Sequence, residues 1–432
     1  MQIHPPMPGF GSTPKPGNVV YRLRWLYLAT CLGVLALLSG CQGDTPDSAM
    51  NPTQASFTST TSVASTQANH DDHGHHHDHN HDHHHHGYKA HEVKIIAYYM
   101  GDGSDLERYD VSQLTHIIYS FLHLQGNKLA FDNEQDIRTF KQLVALKQQH
   151  PQLKVLLSLG GWGGCETCSA VFGSAENRQA FADSTLALLK QYSGDGLDLD
   201  WEYPTVPGYP GHAYGPQDKP NFTALIQALR ATLGEHYELS FAAGGFDSYL
   251  EQAVDWEVIM PLLDSVNLMS YDMVNGGTPH TGHHTALFST DQQKDSTDNA
   301  VRFLLRNRVP PQKIVIGAAF YARVWQAVEP TNNGLYQAGT HVDGVNFKDY
   351  ETHFGREQGF SYFWDETAQA PYVYNAATKT FATFDDKRSV TQKMRYAKQH
   401  GLGGVMFWQL PGDKDKEGLL DILYREKTAT SP

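Results

Sequence analysis

The stretch Asp195–Pro204, DGLDLDWEYP, carries two patterns at once. Leu197, Leu199 and Trp201 form an apolar row, and Asp198, Asp200 and Glu202 alternate with it. A period of two is that of a β-strand, so the three acids share one face. The apolar row marks the strand as buried. Carboxylates on a buried face are costly unless something there uses them. Asp195 has the wrong parity to join the row. With Gly196 it suits the turn into the strand, and a structural and a chemical role both stay open for it.

Two chemistries compete for the acids. Carboxylates at this spacing could hold a divalent cation. Alternatively, like charges two residues apart raise the pKa of one member and keep a proton available near neutrality. In that case Glu202, nearest the strand end and with the longest reach, is the natural proton donor. Asp200 shares or passes the proton and Asp198 holds Asp200, so the row titrates as a group.

From residue 92 onward, short apolar runs alternate with amphipathic segments. The runs are KIIAYY (94–99), HIIYSFL (116–122), KVLLSLGG (154–161), GLDLDWEY (196–203), YELSFAAGG (237–245), SVNLMSYDM (265–273), KIVIGAAFYAR (313–323) and GGVMFWQL (403–410). The segments between most of them have apolar residues at helical spacing, as with Phe181, Leu186 and Leu189. Eight such strands predict an α/β fold, a (β/α)8 barrel over 92–325 and 384–426. A doubly wound open sheet is the alternative, but its Gly-rich phosphate loop after the first strand is missing. Residues 326–383 are rich in turn formers and aromatics and too long for one crossover. They predict a small α+β insertion between the seventh strand and the last helix and strand.

In such a barrel the site lies at the C-terminal strand ends. Besides Glu202, polar and aromatic residues end several strands: Ser158, Tyr271 and Asp272, Tyr321 and Arg323, and Trp408. DGLDLDWE resembles the DxxDxDxE motif of glycoside hydrolase family 18, the chitinase family. SLGG (158–161) is similar to that family's SxGG, LMSYD (268–272) to its MxYD, and FYAR and the Trp of GGVMFW also match. The likeness runs in order from 94 to 424.

The resemblance implies a retaining, substrate-assisted hydrolysis of β-1,4-linked N-acetylglucosamine in chitin or chitooligosaccharides. Glu202 would protonate the glycosidic oxygen and later activate water. Asp200, held by Asp198, would orient the substrate's acetamido N–H, and Tyr271 would bind its oxygen. Asp272 and Arg323 would contact the sugar from the rim and Trp408 would floor the reactive subsite. Met269, Tyr203, Tyr98, Phe121 and Trp162 join the substrate-binding set. For Tyr98 and Phe121 inner-barrel packing competes with sugar contact, and for Trp162 packing on the neighbouring loop does. Ser158, Gly160 and Gly161 are expected as structural and turn residues. No cofactor and no active-site metal are required. The alternatives are an endo-β-N-acetylglucosaminidase acting on N-glycans or peptidoglycan, and a sugar-binding lectin on the same barrel. Family lectins lose the acid, whereas Glu202 and both Asp partners are intact here. The first strand ends YYMGDG without the cleft Trp of many relatives, which favours soluble over crystalline chitin.

The net charge of −14 over 432 residues argues against a nucleic-acid partner. Lys15, Arg22 and Arg24, the apolar run Trp25–Leu38 and then Ser39-Gly40-Cys41 read as an export signal over 1–40. LSGC resembles a bacterial lipobox, which implies lipid on Cys41 and an exported lipoprotein anchored at the outer membrane or cell surface. Residues 41–91 lack apolar periodicity and read as a tether. Eleven of the 24 histidines fall in 70–86, among aspartates. The tract reads either as a weak transition-metal binder or as a hydrophilic spacer. Cys165 and Cys168 are left to the exported domain, where a local disulfide closing a surface loop is expected. A monomer is expected.

Overall fold

The computed structural model describes residues 92–430, so the expectations for the signal, Cys41, the tether and the histidine tract lie outside the described residues. Fourteen strands follow one another: β1 (Lys94–Tyr99), β2 (His116–Gln125), β3 (Lys128–Ala130), β4 (Lys154–Gly160), β5 (Gly196–Asp200), β6 (Glu238–Gly244), β7 (Ser265–Met269), β8 (Ile314–Ala319), β9 (Tyr321–Gln326), β10 (Thr340–Asn346), β11 (Ser361–Asp365), β12 (Ala370–Asn375), β13 (Thr380–Thr383) and β14 (Gly404–Trp408). Eight of them pair in parallel in the order β1-β14-β8-β7-β6-β5-β4-β2, and β1 also pairs with β2. The sheet is therefore closed, a (β/α)8 barrel, and the open doubly wound alternative is excluded. Each of its eight strands starts within one of the eight apolar runs read from the sequence.

Strand parity divides the core in two. Ile95, Ala97 and Tyr99 face outward with Leu197, Leu199 and Trp201 into the layer between barrel and helices. Ile96, Tyr98, Ile118, Leu156, Ala242, Met269, Val315 and Met406 form the inner cluster. Several helices start where a side chain satisfies their free N–H groups. Asn133 accepts from Gln135 and Asp136, and Ser174 accepts from Asn177 at the head of the 18-residue helix Ala175–Tyr192. Asp386 and Ser389 cap one another's backbone at the start of Lys387–Gln399.

The insertion is a five-stranded antiparallel sheet in the order β10-β9-β13-β12-β11, with the short helix Tyr350–Phe354. It begins at Tyr321, earlier than the boundary at 326 expected from turn composition. The run KIVIGAAFYAR is thus two strands: β8 completes the barrel and β9 opens the second sheet, with Phe320 between them. Phe320 stacks on Phe407 at 4.0 Å and its N–H donates to the Trp408 carbonyl, which anchors the change of sheet to the barrel. A fully buried ion pair adds a second anchor: Lys393 Nζ lies 2.6 Å from Asp385 Oδ2 and also donates to the Gly317 carbonyl. Asp385 accepts further bonds from Ala319 N–H, Thr285 and Ser389, so the buried charge is matched on every side.

Candidate active site

β5 ends at Asp200, so the alternating row is shorter than the sequence suggests. Asp198 and Asp200 are inward strand residues, whereas Glu202 stands on the loop beyond, half-buried, with a cis peptide to Tyr203. The loop folds back on it: Tyr209 N–H donates to the Glu202 carbonyl at 3.4 Å, and Gly208 packs against the same carbonyl so closely that a Cβ there would lie 2.1 Å from it. Trp201 keeps the outward parity and packs among Phe172 and Phe222.

Asp198 is wholly buried at the bottom of the site. It accepts bonds from Ser240 Oγ at 2.6 Å, Tyr98 Oη and Asn267 Nδ2 at 3.0 Å, and Ser158 Oγ at 3.3 Å. Burial raises its pKa and these donors oppose the rise. Asp200 lies above it with Oδ1 buried and without a hydrogen-bond partner among the described residues. Burial, then the charges of Glu202 and Asp198, push Asp200 well above the carboxylate range. Glu202 is pushed up to about 7, chiefly by burial; a bond from Tyr203 opposes this and the Asp272 charge adds to it. Desolvation thus exceeds the crowding expected from the sequence as the cause of the shift.

The rim opposite is held by an ion pair. Arg323, on β9, forks onto Asp272 with both N···O distances 2.7 Å, and buried His284 lies 3.5 Å from Asp272 Oδ1. Arg323 and His284 hold the Asp272 carboxyl far below the usual range even though burial opposes them. Arg323 and Asp272 therefore face each other before they face a ligand. Tyr271 points its hydroxyl at Met406 Sδ, 3.8 Å away, a weak acceptor that leaves the O–H available to a stronger one.

The aromatic floor is continuous. Trp408 stacks on Phe121 at 5.6 Å and 15°, and lies 5.9 Å from the Tyr98 ring. Met269 and Tyr203 pack beside it, Tyr203 also against Phe246 and Tyr249. Gly160 and Gly161 let the chain pass beneath: both have positive φ, and a Cβ would meet the Asp200 carbonyl at 2.2 Å and the Phe121 ring at 2.3 Å respectively. Trp162 follows, 58% exposed.

Asp195 and the two cysteines do not join the acids. Asp195 sits at the opposite end of β5, bonded to Lys147 Nζ at 2.7 Å and to Val155 N–H, a structural pairing remote from the acids. Cys165 and Cys168 form a disulfide; both half-cystines are buried while Glu166 and Thr167 between them are exposed, so it closes a short surface loop. In the insertion Tyr350 is buried among Phe347, Phe354 and Phe384, and Trp364 lies under Arg388 at 3.8 Å. Ser240 and Asn267, which hold Asp198, went unremarked in the sequence. The signal was there: each is a polar residue at inward parity in an otherwise apolar run. No group of three or more His, Cys, Asp or Glu side chains arranged to hold a metal occurs among the described residues.

A barrel with a donor-lined Asp, an unpartnered Asp and a protonatable Glu at its mouth, floored by aromatics, is the architecture of a sugar-cleaving hydrolase. The family model "Glycosyl hydrolases family 18" matches residues 94–413, and the chain belongs to that family. It is 36% identical over 300 residues to chitinase A1 of Niallia circulans, a match covering 64% of this chain and 43% of that protein. It is 31% identical over 339 residues to chitinase 1 of Aphanocladium album, covering 70% of this chain and 76% of that protein. Among solved structures, a family 18 N-acetylglucosaminidase from Paenibacillus barengoltzii superposes with a TM-score of 0.71 at 36% identity, covering 77% of this chain and 99% of that one.

Proposed function

We propose that this protein hydrolyses β-1,4-N-acetylglucosamine linkages in chitin and chitooligosaccharides with retention of configuration, the substrate's acetamido group acting as nucleophile. The observation that carries the reading is the acid pair at the mouth: half-buried Glu202 keeps a proton up to about pH 7, beside a buried Asp200 whose Oδ1 has no partner among the described residues. The unpartnered Asp200 oxygen suits an acetamido N–H, and the Tyr271 hydroxyl suits the acetamido oxygen. As Glu202 gives its proton to the glycosidic oxygen, the C1–O bond breaks and the acetamido oxygen bonds to C1, forming an oxazolinium ion. Water then attacks C1, reopening that ring, and its proton goes to Glu202. Trp408 offers a flat apolar face to the pyranose ring. The similarity to chitinases supports chitin as substrate, and that to an N-acetylglucosaminidase supports release of single sugars as a second reading.

Chitohexaose and a glycoprotein, each incubated with the enzyme and with Glu202→Gln, test the proposal by product mass and anomeric NMR. The β-anomer should form first from chitohexaose, and the variant should lose about 10²–10⁴-fold in rate. Inverted product, exclusive release of N-glycans, or turnover within tenfold of the parent refutes it. We further propose that lipid on Cys41 tethers the enzyme to the outer membrane or cell surface, and that the 70–86 tract binds transition metals weakly. Palmitate labelling that survives Cys41→Ala, or zinc affinity unchanged on deleting 70–86, refutes these two proposals in turn.

A further inference from the structure

Asp218 is wholly buried at the head of the helix Asp218–Leu233, and no step above uses it. Ser169 Oγ donates to its Oδ1 at 2.7 Å, Gly215 N–H to its Oδ2 at 2.8 Å, and Thr205 N–H to the same oxygen at 3.4 Å. Thr205 and Gly215 lie near the two ends of the loop that follows Glu202, and between them Gly208 and Tyr209 meet the Glu202 carbonyl. Ser169 comes from another segment, the short helix Cys168–Phe172, which the disulfide ties to Cys165 beside Gly160. One carboxyl thus joins both ends of the acid's loop to the chain beyond β4. Thr205 shows why the loop needs it. This β-branched residue sits at φ +70°, in the left-handed region such side chains avoid, and backbone there persists only where its surroundings hold it. Its N–H is held by Asp218, and its hydroxyl donates to the Ala253 carbonyl at 3.4 Å. Without the carboxyl, the Thr205 and Gly215 N–H groups and the Ser169 hydroxyl lose their acceptor.

We propose that Asp218 is a positioning residue: by clasping the loop at Thr205 and Gly215 it fixes Glu202 where the acid meets the glycosidic oxygen and limits the access of water to it. The proposal rests on the reading of Glu202 as proton donor and adds the group that holds it in place. Asp218 acts through the backbone alone. Only Tyr203 and Pro204 separate Thr205 from Glu202, so a loop released at Thr205 moves the acid and admits water. Burial is the main cause that raises Glu202, so a looser loop lowers it again. The other ionisable groups that act on Glu202 or feel its charge are Asp200, Tyr203, Tyr249, Tyr271 and Asp272, and the variants below leave them intact.

The parent enzyme, Asp218→Ala, Asp218→Asn and Ser169→Ala are compared in four readouts. These are kcat and KM on chitohexaose, the alkaline limb of kcat/KM, the urea midpoint, and the substrate-free titration midpoint of Glu202 by carbon-13 NMR, its resonance assigned with Glu202→Gln. Asp218→Ala should lower kcat about ten- to a hundredfold with KM changed by less than about threefold. It should also move both the limb and the NMR midpoint to lower pH. Asp218→Asn, which keeps an oxygen for the loop N–H groups, should restore kcat and both midpoints. Ser169→Ala should lower the urea midpoint yet leave the limb and the NMR midpoint in place, because the loop bonds to Asp218 remain. Should Asp218→Ala not fold, Asp218→Ser, too short to span from loop to helix, carries the same expectations. An unmoved Glu202 midpoint in Asp218→Ala, no recovery in Asp218→Asn, or a shift in Ser169→Ala as large as in Asp218→Ala overturns the proposal. Absence of chitohexaose turnover by the parent overturns the substrate reading instead, and the NMR midpoints then decide the role of Asp218.

Discussion

Replacing Glu202 by Gln should make the protein inactive and, at alkaline pH, more stable. Burial lifts the carboxyl from 4.5 to about 7. At pH 6 the group is then about nine-tenths protonated, against about 3% for an ordinary glutamate, which is what makes it an acid catalyst there. The same shift works against folding. The folded state holds the proton more tightly than the unfolded chain, so stability is highest below pH 4.5 and falls as pH rises toward 7. The full linkage would be about 3 kcal/mol. Because Glu202 is half-buried and faces the open cleft, solvent screening reduces the expected loss to about 1–2 kcal/mol. Gln carries no charge at any pH and escapes it. Urea unfolding of parent and variant at pH 4 and pH 8.5 measures the difference directly. The two should coincide at pH 4, and the variant should be about 1–2 kcal/mol more stable at pH 8.5. A stability difference that is the same at both pH values would refute the upward shift of Glu202.

Three further outcomes follow from the same geometry. Asp272→Asn removes a charge that raises Glu202, so the alkaline limb of kcat/KM should move to lower pH; a limb that stays or moves up contradicts the electrostatic link. Gly160→Ala must fit a Cβ 2.2 Å from the Asp200 carbonyl at φ +107°, and should cost about 2–4 kcal/mol in chemical denaturation while disturbing Asp200. Lys393→Met leaves Asp385 charged and buried at the junction of barrel and insertion, and should cost about 3–5 kcal/mol. A loss below 1 kcal/mol would mean that the hydroxyl and N–H donors around Asp385 suffice alone.

What could be read from the sequence was whatever depends on local period. Parallel barrel strands are buried on both faces and stand out as apolar runs, and parity alone separated Trp201 and Asp195 from the inward Asp198 and Asp200. What could not be read depends on partners far along the chain. Arg323 and Asp272 meet because β9 leaves the barrel at Phe320, and nothing local in FYAR shows that the strand changes sheet there. The buried state of Cys165 and Cys168 likewise depends on the surrounding helices, not on their spacing.

The acid row shows where local reasoning stops within a single motif. Alternation puts Asp198 and Asp200 inward, and continuing it would put Glu202 on the same ladder, driven mainly by like charge. The strand instead ends at Asp200, and Glu202 is carried onto a loop that returns through Gly208 and Tyr209 to bind its carbonyl. Its environment is therefore set by that loop and by Tyr203 and Asp272, and its proton is held chiefly by desolvation. Asp198 is left to the structural work, bound by four donors, while Asp200 keeps an oxygen free. Three acids that look equivalent in DGLDLDWE are thus separated by hydrogen bonding and burial into a buried support, an open acceptor and a proton donor, a division that charge crowding alone would not produce.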